Sequence, residues 1–104
     1  METVSHDGRT TAYRHATAGS GPTVCYGHGA GGNHRVWANQ YGESDTPPAV
    51  VPDLSGHGDS DDSSTAPGEE TLEAYADDVV AVCEETDATV ICGNSMGGAV
   101  ALWI

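Results

Sequence analysis

Thr89-Val90-Ile91-Cys92-Gly93-Asn94-Ser95-Met96-Gly97-Gly98-Ala99-Val100-Ala101-Leu102-Trp103 is the most informative stretch of this 104-residue chain. The apolar run from Ala88 to Cys92 predicts a short buried strand, and Ala99 to Ile104 predicts the start of a strongly apolar helix. Between them lies Gly93-Asn94-Ser95-Met96-Gly97, a G-x-S-x-G pattern in strand-to-helix context. The spacing has a steric cause. A chain that turns from strand to helix within about two residues forces the central serine into a strained backbone, and side chains two positions away on either side would collide. Gly93 and Gly97 occupy those flanking sites. The expected result is a Ser95 hydroxyl presented at a helix N-terminus, where N–H groups and the helix dipole favour a developing negative charge. The serine is therefore a candidate nucleophile, rather than part of a glycine turn that only packs strand on helix.

Upstream, Thr23-Val24-Cys25-Tyr26 predicts another short strand that runs straight into Gly27-His28-Gly29-Ala30-Gly31-Gly32. Stabilising an oxyanion needs two N–H donors aimed at one oxygen. The Met96 N–H, which follows the serine, is one candidate. The second must come from a loop after a neighbouring strand, where glycines let the backbone approach, and Ala30 is the candidate. A phosphate-binding loop is the competing reading. It fails because no G-x-G-x-x-G fits and there is no lysine for a P-loop.

The remaining segments alternate. Glu2 to Ser5, Asp7-Gly8 and Thr10 to His15 predict a β-hairpin. Asn33 to Gln40 predicts a short helix, with Val36 and Trp37 in it. Ala49 to Pro52 predicts a second buried strand, followed by the polar loop that starts Asp53-Leu54-Ser55-Gly56-His57-Gly58-Asp59-Ser60. Leu72, Tyr75, Ala76, Val79, Val82 and Cys83 recur at helical spacing behind Thr71, a good N-cap. Glu69, Glu70 and Glu73 sit at the favourable end of that helix, and Asp77, Asp78, Glu84 and Glu85 are expected on its solvent face. Trp37 and Trp103 are expected to pack, and Trp37 alternatively to line a pocket mouth. Short apolar strands alternating with helices predict an α/β fold with a mostly parallel sheet of about five strands, an antiparallel N-terminal hairpin, and one structural unit over residues 1–104.

The ordered motifs YGHGAGGNHRVW, VVPDLSGHGDS and VICGNSMGGAVALW resemble the α/β-hydrolase superfamily over nearly the whole chain. The resemblance implies Ser95 as nucleophile, Ala30 and Met96 as backbone oxyanion donors, and Gly29, Gly93 and Gly97 as loop and elbow support. It implies a loop-ordering role for His28, and a structural role for His57 rather than a catalytic one. It also implies a triad acid and then a triad histidine after the serine. No Asp or His follows Ser95, so the chain is expected to be the N-terminal portion of a larger hydrolase, with the last helix and one sheet edge uncovered and little turnover in isolation. The implied activity of the parent is hydrolysis of an ester or related acyl bond in a small-molecule substrate. The rival readings are a carbon–carbon bond hydrolase of ring-cleavage products and a non-catalytic ligand- or partner-binding remnant. Epoxide and haloalkane relatives usually carry aspartate at the nucleophile position, so the serine argues against their chemistry.

No cofactor motif is present, and His6, His15 and His34 have no metal-ligand spacing. Asp59, Asp61, Ser63 and Glu70 fall at calcium-loop spacing, but Ser64 replaces the required glycine and Pro67 interrupts, so a solvated loop is expected. The three cysteines form neither a zinc pattern nor a disulfide framework, and Cys25 and Cys92 are expected as small buried hydrophobes. No basic-then-apolar leader is visible and no apolar run is long enough to span a membrane, which together predict a cytoplasmic protein. Nothing in the pattern sets an oligomeric state.

The charge is the last constraint. Sixteen acidic residues stand against three arginines, for a formal charge of −13, and there is no lysine. Such a surface repels nucleic-acid phosphates and anionic lipids. It also suggests adaptation to concentrated salt, where screening removes the mutual repulsion of carboxylates. The melting temperature is expected to rise from low to molar salt; a flat dependence would contradict halophilic adaptation.

Overall fold

The computed structural model describes residues 1–62 and 72–104. Five strands form one sheet in the order β1-β2-β4-β3-β5, with β1 at Glu2–His6, β2 at Arg9–Ala16, β3 at Val24–Gly27, β4 at Ala49–Pro52 and β5 at Val90–Gly93. Helix α1 spans Leu72–Thr86 and α2 spans Met96–Trp103. Strands β4, β3 and β5 are mutually parallel, whereas β2 is antiparallel to both of its neighbours, β1 and β4. This is the expected α/β architecture with an antiparallel N-terminal hairpin. The hairpin turn holds Asp7 at φ 49° and Gly8 at φ 77°, two consecutive left-handed residues as a two-residue hairpin requires.

The central strands are buried on both faces, with a period of two. Cys25 and Val50 pack toward the helices, in a core with Tyr13, Leu54, Tyr75, Ala76, Val79, Val82 and Val100. Tyr26, Ala49 and Val51 face the opposite side, where Val24, Trp37 and Tyr41 cover them. The Tyr26 and Trp37 rings lie 4.9 Å apart and tilted. The apolar positions expected for α1 are those that meet the sheet. In the core, Cys25 on β3 is hydrogen-bonded to Cys83 on α1; that bond, and burial next, raise the Cys25 thiol pKa well above its ordinary value.

Several expectations are corrected. The helix expected over Asn33–Gln40 is a single 3-10 turn, His34–Trp37, capped by the Asn33 side chain on the Arg35 N–H. Helix α2 begins at Met96, three residues earlier than its apolar run suggested. Cys92 is exposed, because β5 is an edge strand. Trp103 is 59% exposed, beside Leu102 and Ile104, on the outer end of α2. Thr71, Glu69 and Glu70, and the Ser63–Glu70 part of the calcium-like spacing, lie outside the described residues.

The largest correction is Asp78, which is fully buried rather than on the solvent face of α1. Its Oδ1 accepts from the Arg9 guanidinium at 3.1 Å and from Thr11 Oγ1 at 3.3 Å, with His6 Nε2 at 3.2 Å. Its Oδ2 accepts from the Ser55 N–H at 2.8 Å and from Ser55 Oγ at 2.6 Å. One carboxylate thus ties α1 to the hairpin and to the loop after β4. A buried ion pair adds little over an apolar replacement, but removing one partner strands the other. Asp78→Ala is therefore expected to lower stability by about 3–5 kcal/mol in chemical denaturation, far more than Asp77→Ala on the exposed face of the same helix.

Candidate active site

Strands β3 and β5 end side by side, with Gly27 paired to Gly93. The Asn94 N–H then donates to Gly27 O at 3.1 Å, and α2 starts two residues later. Between them Ser95 sits at φ 56°, ψ −115°, a conformation that costs a non-glycine residue about 1–3 kcal/mol and persists only where the surroundings over-determine it. The flanking contacts show why. A Cβ on Gly93 would overlap the Gly97 carbonyl, and a Cβ on Gly97 would overlap the Gly27 carbonyl. The first turn of α2 is pressed against the ends of both strands, and Ser95 is left exposed at the top.

The glycine loop after β3 lies over this elbow. A methyl group built on Gly29 would stand 3.4 Å from Ser95 Cβ and 3.8 Å from Ser95 Oγ. Ala30 follows, exposed, in a turn closed by the Gly32 N–H on Gly29 O at 3.1 Å. Met96, partly buried, is the first residue of α2. Among the described residues neither the Ala30 N–H nor the Met96 N–H has a protein acceptor. Both are free to meet an oxygen of a bound molecule.

Three histidines lie in or after this loop or in the loop after β4, and none of them hydrogen-bonds Ser95 Oγ. His28 is fully buried; its Nδ1 donates to Gly29 O at 2.7 Å and its Nε2 accepts the Leu54 N–H at 3.0 Å. These partners fix one neutral tautomer. Burial, the largest influence, lowers the His28 pKa; the Gly29 carbonyl opposes this and the neighbouring His57 adds to it. His34 Nδ1 lies 2.9 Å from Asp53 Oδ1, which also accepts the His34 N–H at 2.7 Å. Asp53 is fully buried, and its other oxygen accepts the Asp59 N–H at 3.0 Å. Burial alone would raise the Asp53 pKa, but the Asp59 and His34 hydrogen bonds outweigh it and hold the carboxyl below its ordinary range. His57 accepts the Gly31 N–H on Nε2 at 3.0 Å. Ser95 Oγ has no hydrogen-bond partner among the described residues, so no side chain here takes its proton.

The structure therefore brings Gly29 beside Ser95, with Ala30 and Met96 the residues that directly follow each of them, and His28 anchors the loop. The ties from Asp53 to His34 and from Asp78 to Ser55 were missed. Asp53 directly follows an apolar strand, and that position was the only available signal. Among the described residues no cluster of three or more His, Cys, Asp or Glu side chains could hold a metal ion, and no helix is long and apolar enough to cross a membrane.

Residues 27–103 match the family model "Alpha/beta hydrolase family". The chain belongs to the alpha/beta hydrolase family. It is 34% identical over 96 residues to an uncharacterized protein of Mycobacterium tuberculosis strain H37Rv, covering 86% of this chain and 27% of that protein. Among solved structures it is similar to Est816, an N-acyl homoserine lactone degrading enzyme, with 30% identity and a TM-score of 0.80 over 97% of this chain and 38% of that one. It is likewise similar to the epoxide hydrolase VrEH1 from Vigna radiata, with 25% identity and a TM-score of 0.82 over 98% of this chain and 33% of that one. This alpha/beta hydrolase chain thus spans about a quarter to two-fifths of the length of these relatives.

The anchoring histidine makes a pH prediction. A base whose folded pKa lies below its unfolded value binds its proton first in the unfolded chain, so stability rises with pH across that interval. For His28 the contribution is complete above the ordinary value of 6.5 and is lost as the pH falls from there toward the depressed folded value. Urea titrations at pH 7.5 and 5.5 are expected to show this loss, with a slope of up to about 1.4 kcal/mol per pH unit. His28→Gln is expected to lower the baseline stability and flatten the slope.

Proposed function

We propose that the protein hydrolyses an ester or related acyl bond of a small-molecule substrate through a Ser95 acyl-enzyme. The supporting observation is the strained Ser95 at the N-terminus of α2, with the Gly29 backbone alongside and the unpaired Ala30 and Met96 N–H groups nearby. Ser95 Oγ attacks the acyl carbon, and the carbonyl oxygen becomes an oxyanion held by the Ala30 and Met96 N–H groups. A base takes the Ser95 Oγ proton during the attack; the oxyanion collapses, the bond from the acyl carbon to the leaving oxygen breaks, that oxygen receives the same proton from the base, and water then cleaves the acyl-serine ester and restores the Ser95 hydroxyl. Each such donor is worth about 10²–10³ in rate.

The nucleophile's chemistry narrows the reaction. A serine alkoxide that opened an epoxide would form an ether, which water does not cleave under mild conditions, whereas an acyl-serine ester is readily hydrolysed. Serine therefore favours acyl transfer over the chemistry named for VrEH1, and Est816 supports a lactone or ester class. Carbon–carbon bond hydrolysis through the same serine has no separate support. The histidine that activates Ser95 is assigned to polypeptide outside these 104 residues, since none of His28, His34 and His57 hydrogen-bonds Ser95 Oγ. The same absence of a partner for Ser95 Oγ among the described residues favours a second reading, in which Ser95 is never activated and the protein binds without turnover. The acidic, lysine-free composition supports work in concentrated salt.

A fluorophosphonate probe separates the two. In the whole protein an activated Ser95 is expected to be labelled, with the adduct mapped to Ser95 by mass spectrometry and lost in Ser95→Ala together with esterase activity. Labelling that survives Ser95→Ala overturns the assignment, and no labelling of the wild type supports the non-catalytic reading. The 104-residue chain alone is expected to show turnover at background.

A further inference from the structure

The loop that carries Ala30 is glycine on both sides, and such a chain does not hold one conformation by itself. Its geometry must come from contacts. Before Ala30, Gly29 O accepts from both His28 Nδ1 at 2.7 Å and the Gly32 N–H at 3.1 Å. After Ala30, Gly31 stands at φ 76°, a left-handed conformation, and its N–H donates to His57 Nε2 at 3.0 Å. That bond holds the Ala30–Gly31 peptide. His57 is in turn fixed from the other side. Its Nδ1 lies 2.9 Å from Ser55 O, and Ser55 is bound through both its N–H and Oγ to the buried Asp78 carboxylate. The imidazole also packs on the His28 ring at 4.8 Å and on Tyr75 at 5.9 Å. An N–H donor on Nε2 and a carbonyl acceptor at Nδ1 are met together only by the neutral imidazole with its proton on Nδ1.

We propose that His57 is a positioning residue for the oxyanion loop: by accepting the Gly31 N–H it fixes the peptide that follows Ala30, and so the aim of the Ala30 N–H toward Ser95. The loop after β4, which contributes no donor to the reacting oxygen, sets the geometry of the loop after β3 that does. This role rests on the reading of Ser95 as nucleophile and Ala30 as oxyanion donor. Loss of the contact leaves substrate binding intact and weakens only the interaction formed as the oxyanion develops.

The test uses the whole protein in three forms: wild type, His57→Phe, which keeps a ring against His28 and Tyr75, and His57→Gln, which restores an acceptor near the Nε2 position. His57→Phe is expected to slow the limiting rate of Ser95 labelling by a fluorophosphonate by about tenfold to a hundredfold, less than the roughly 10²–10³ for outright loss of an oxyanion donor, because the Ala30 N–H is misaimed rather than removed. The half-saturating probe concentration should stay unchanged, and Gly31 amide exchange should accelerate. His57→Gln is expected to recover most of the rate. A through-hydrogen-bond nitrogen–nitrogen coupling between Gly31 N and His57 Nε2 is expected in the wild type. Its absence overturns the proposal even if His57→Phe does not fold. So does a His57→Phe protein that labels at the wild-type rate, or a His57→Gln protein as slow as His57→Phe. A wild type that fails to label at Ser95 overturns the nucleophile reading itself, and this role with it, and is told apart from failure of His57 alone because then the wild type labels normally.

Discussion

Ser95 stands in a left-handed backbone because the chain around it packs backbone against backbone. Gly27, Gly93 and Gly97 meet at one point, where the ends of β3 and β5 and the first turn of α2 leave no room for a Cβ on the last two. The strain of about 1–3 kcal/mol at Ser95 is held there by the rest of the fold. Val100, one turn further along α2, is buried in the core with Val79, Val82 and Cys25. Burying such side chains stabilises by about 1.5–3 kcal/mol each, more than enough in sum to hold one strained residue. The sheet order follows from the same contact, because β3 and β5 must be neighbours for the glycine loop to lie over the elbow.

Above the sheet a second principle operates. The loops after β3 and β4 are polar and glycine-rich, and they are ordered by buried polar side chains rather than by apolar packing. His28 reaches Leu54, Asp53 reaches His34 and Asp59, and His57 reaches Gly31. Every such link joins one loop to the other, or folds one back on itself, and the His28 and Asp53 side chains are satisfied by them, whereas the buried Trp37 Nε1 has no partner among the described residues. Such satisfaction is the condition under which burying a carboxylate is tolerable. It also gives His28 and His57 a structural role: both nitrogens of each meet backbone groups.

Periodicity made most of the fold legible. Strand β4 is four consecutive buried residues, and α1 presents Tyr75, Ala76, Val79 and Val82 to the sheet as their spacing requires. It failed for Asp78. A charged residue one position from the apolar stripe is read as solvent-facing, and only the arrival of Arg9 and Ser55 from distant parts of the chain makes its burial favourable. Trp103 failed in the opposite sense. Its type suggested packing, but it lies at the outer end of α2, next to Leu102 at 90% exposure, where no described element covers it.

The sequence by itself determined the elbow. Gly93, Ser95 and Gly97 specify a strand-to-helix turn by local sterics, which depend only on residues near one another in the chain. It also determined the order of strands and helices and the apolar faces they bury. Only the tertiary structure decided what stands around Ser95: that Gly29 lies beside it, that Asp53 and Asp78 are buried anchors, and which partners His28, His34 and His57 meet. Those roles depend on the partner each polar group meets across 19 to 69 positions of sequence, as for His34 with Asp53 and Arg9 with Asp78. A long-range side-chain hydrogen bond has no periodic signature along the chain, so such pairings appear only once the chain is folded.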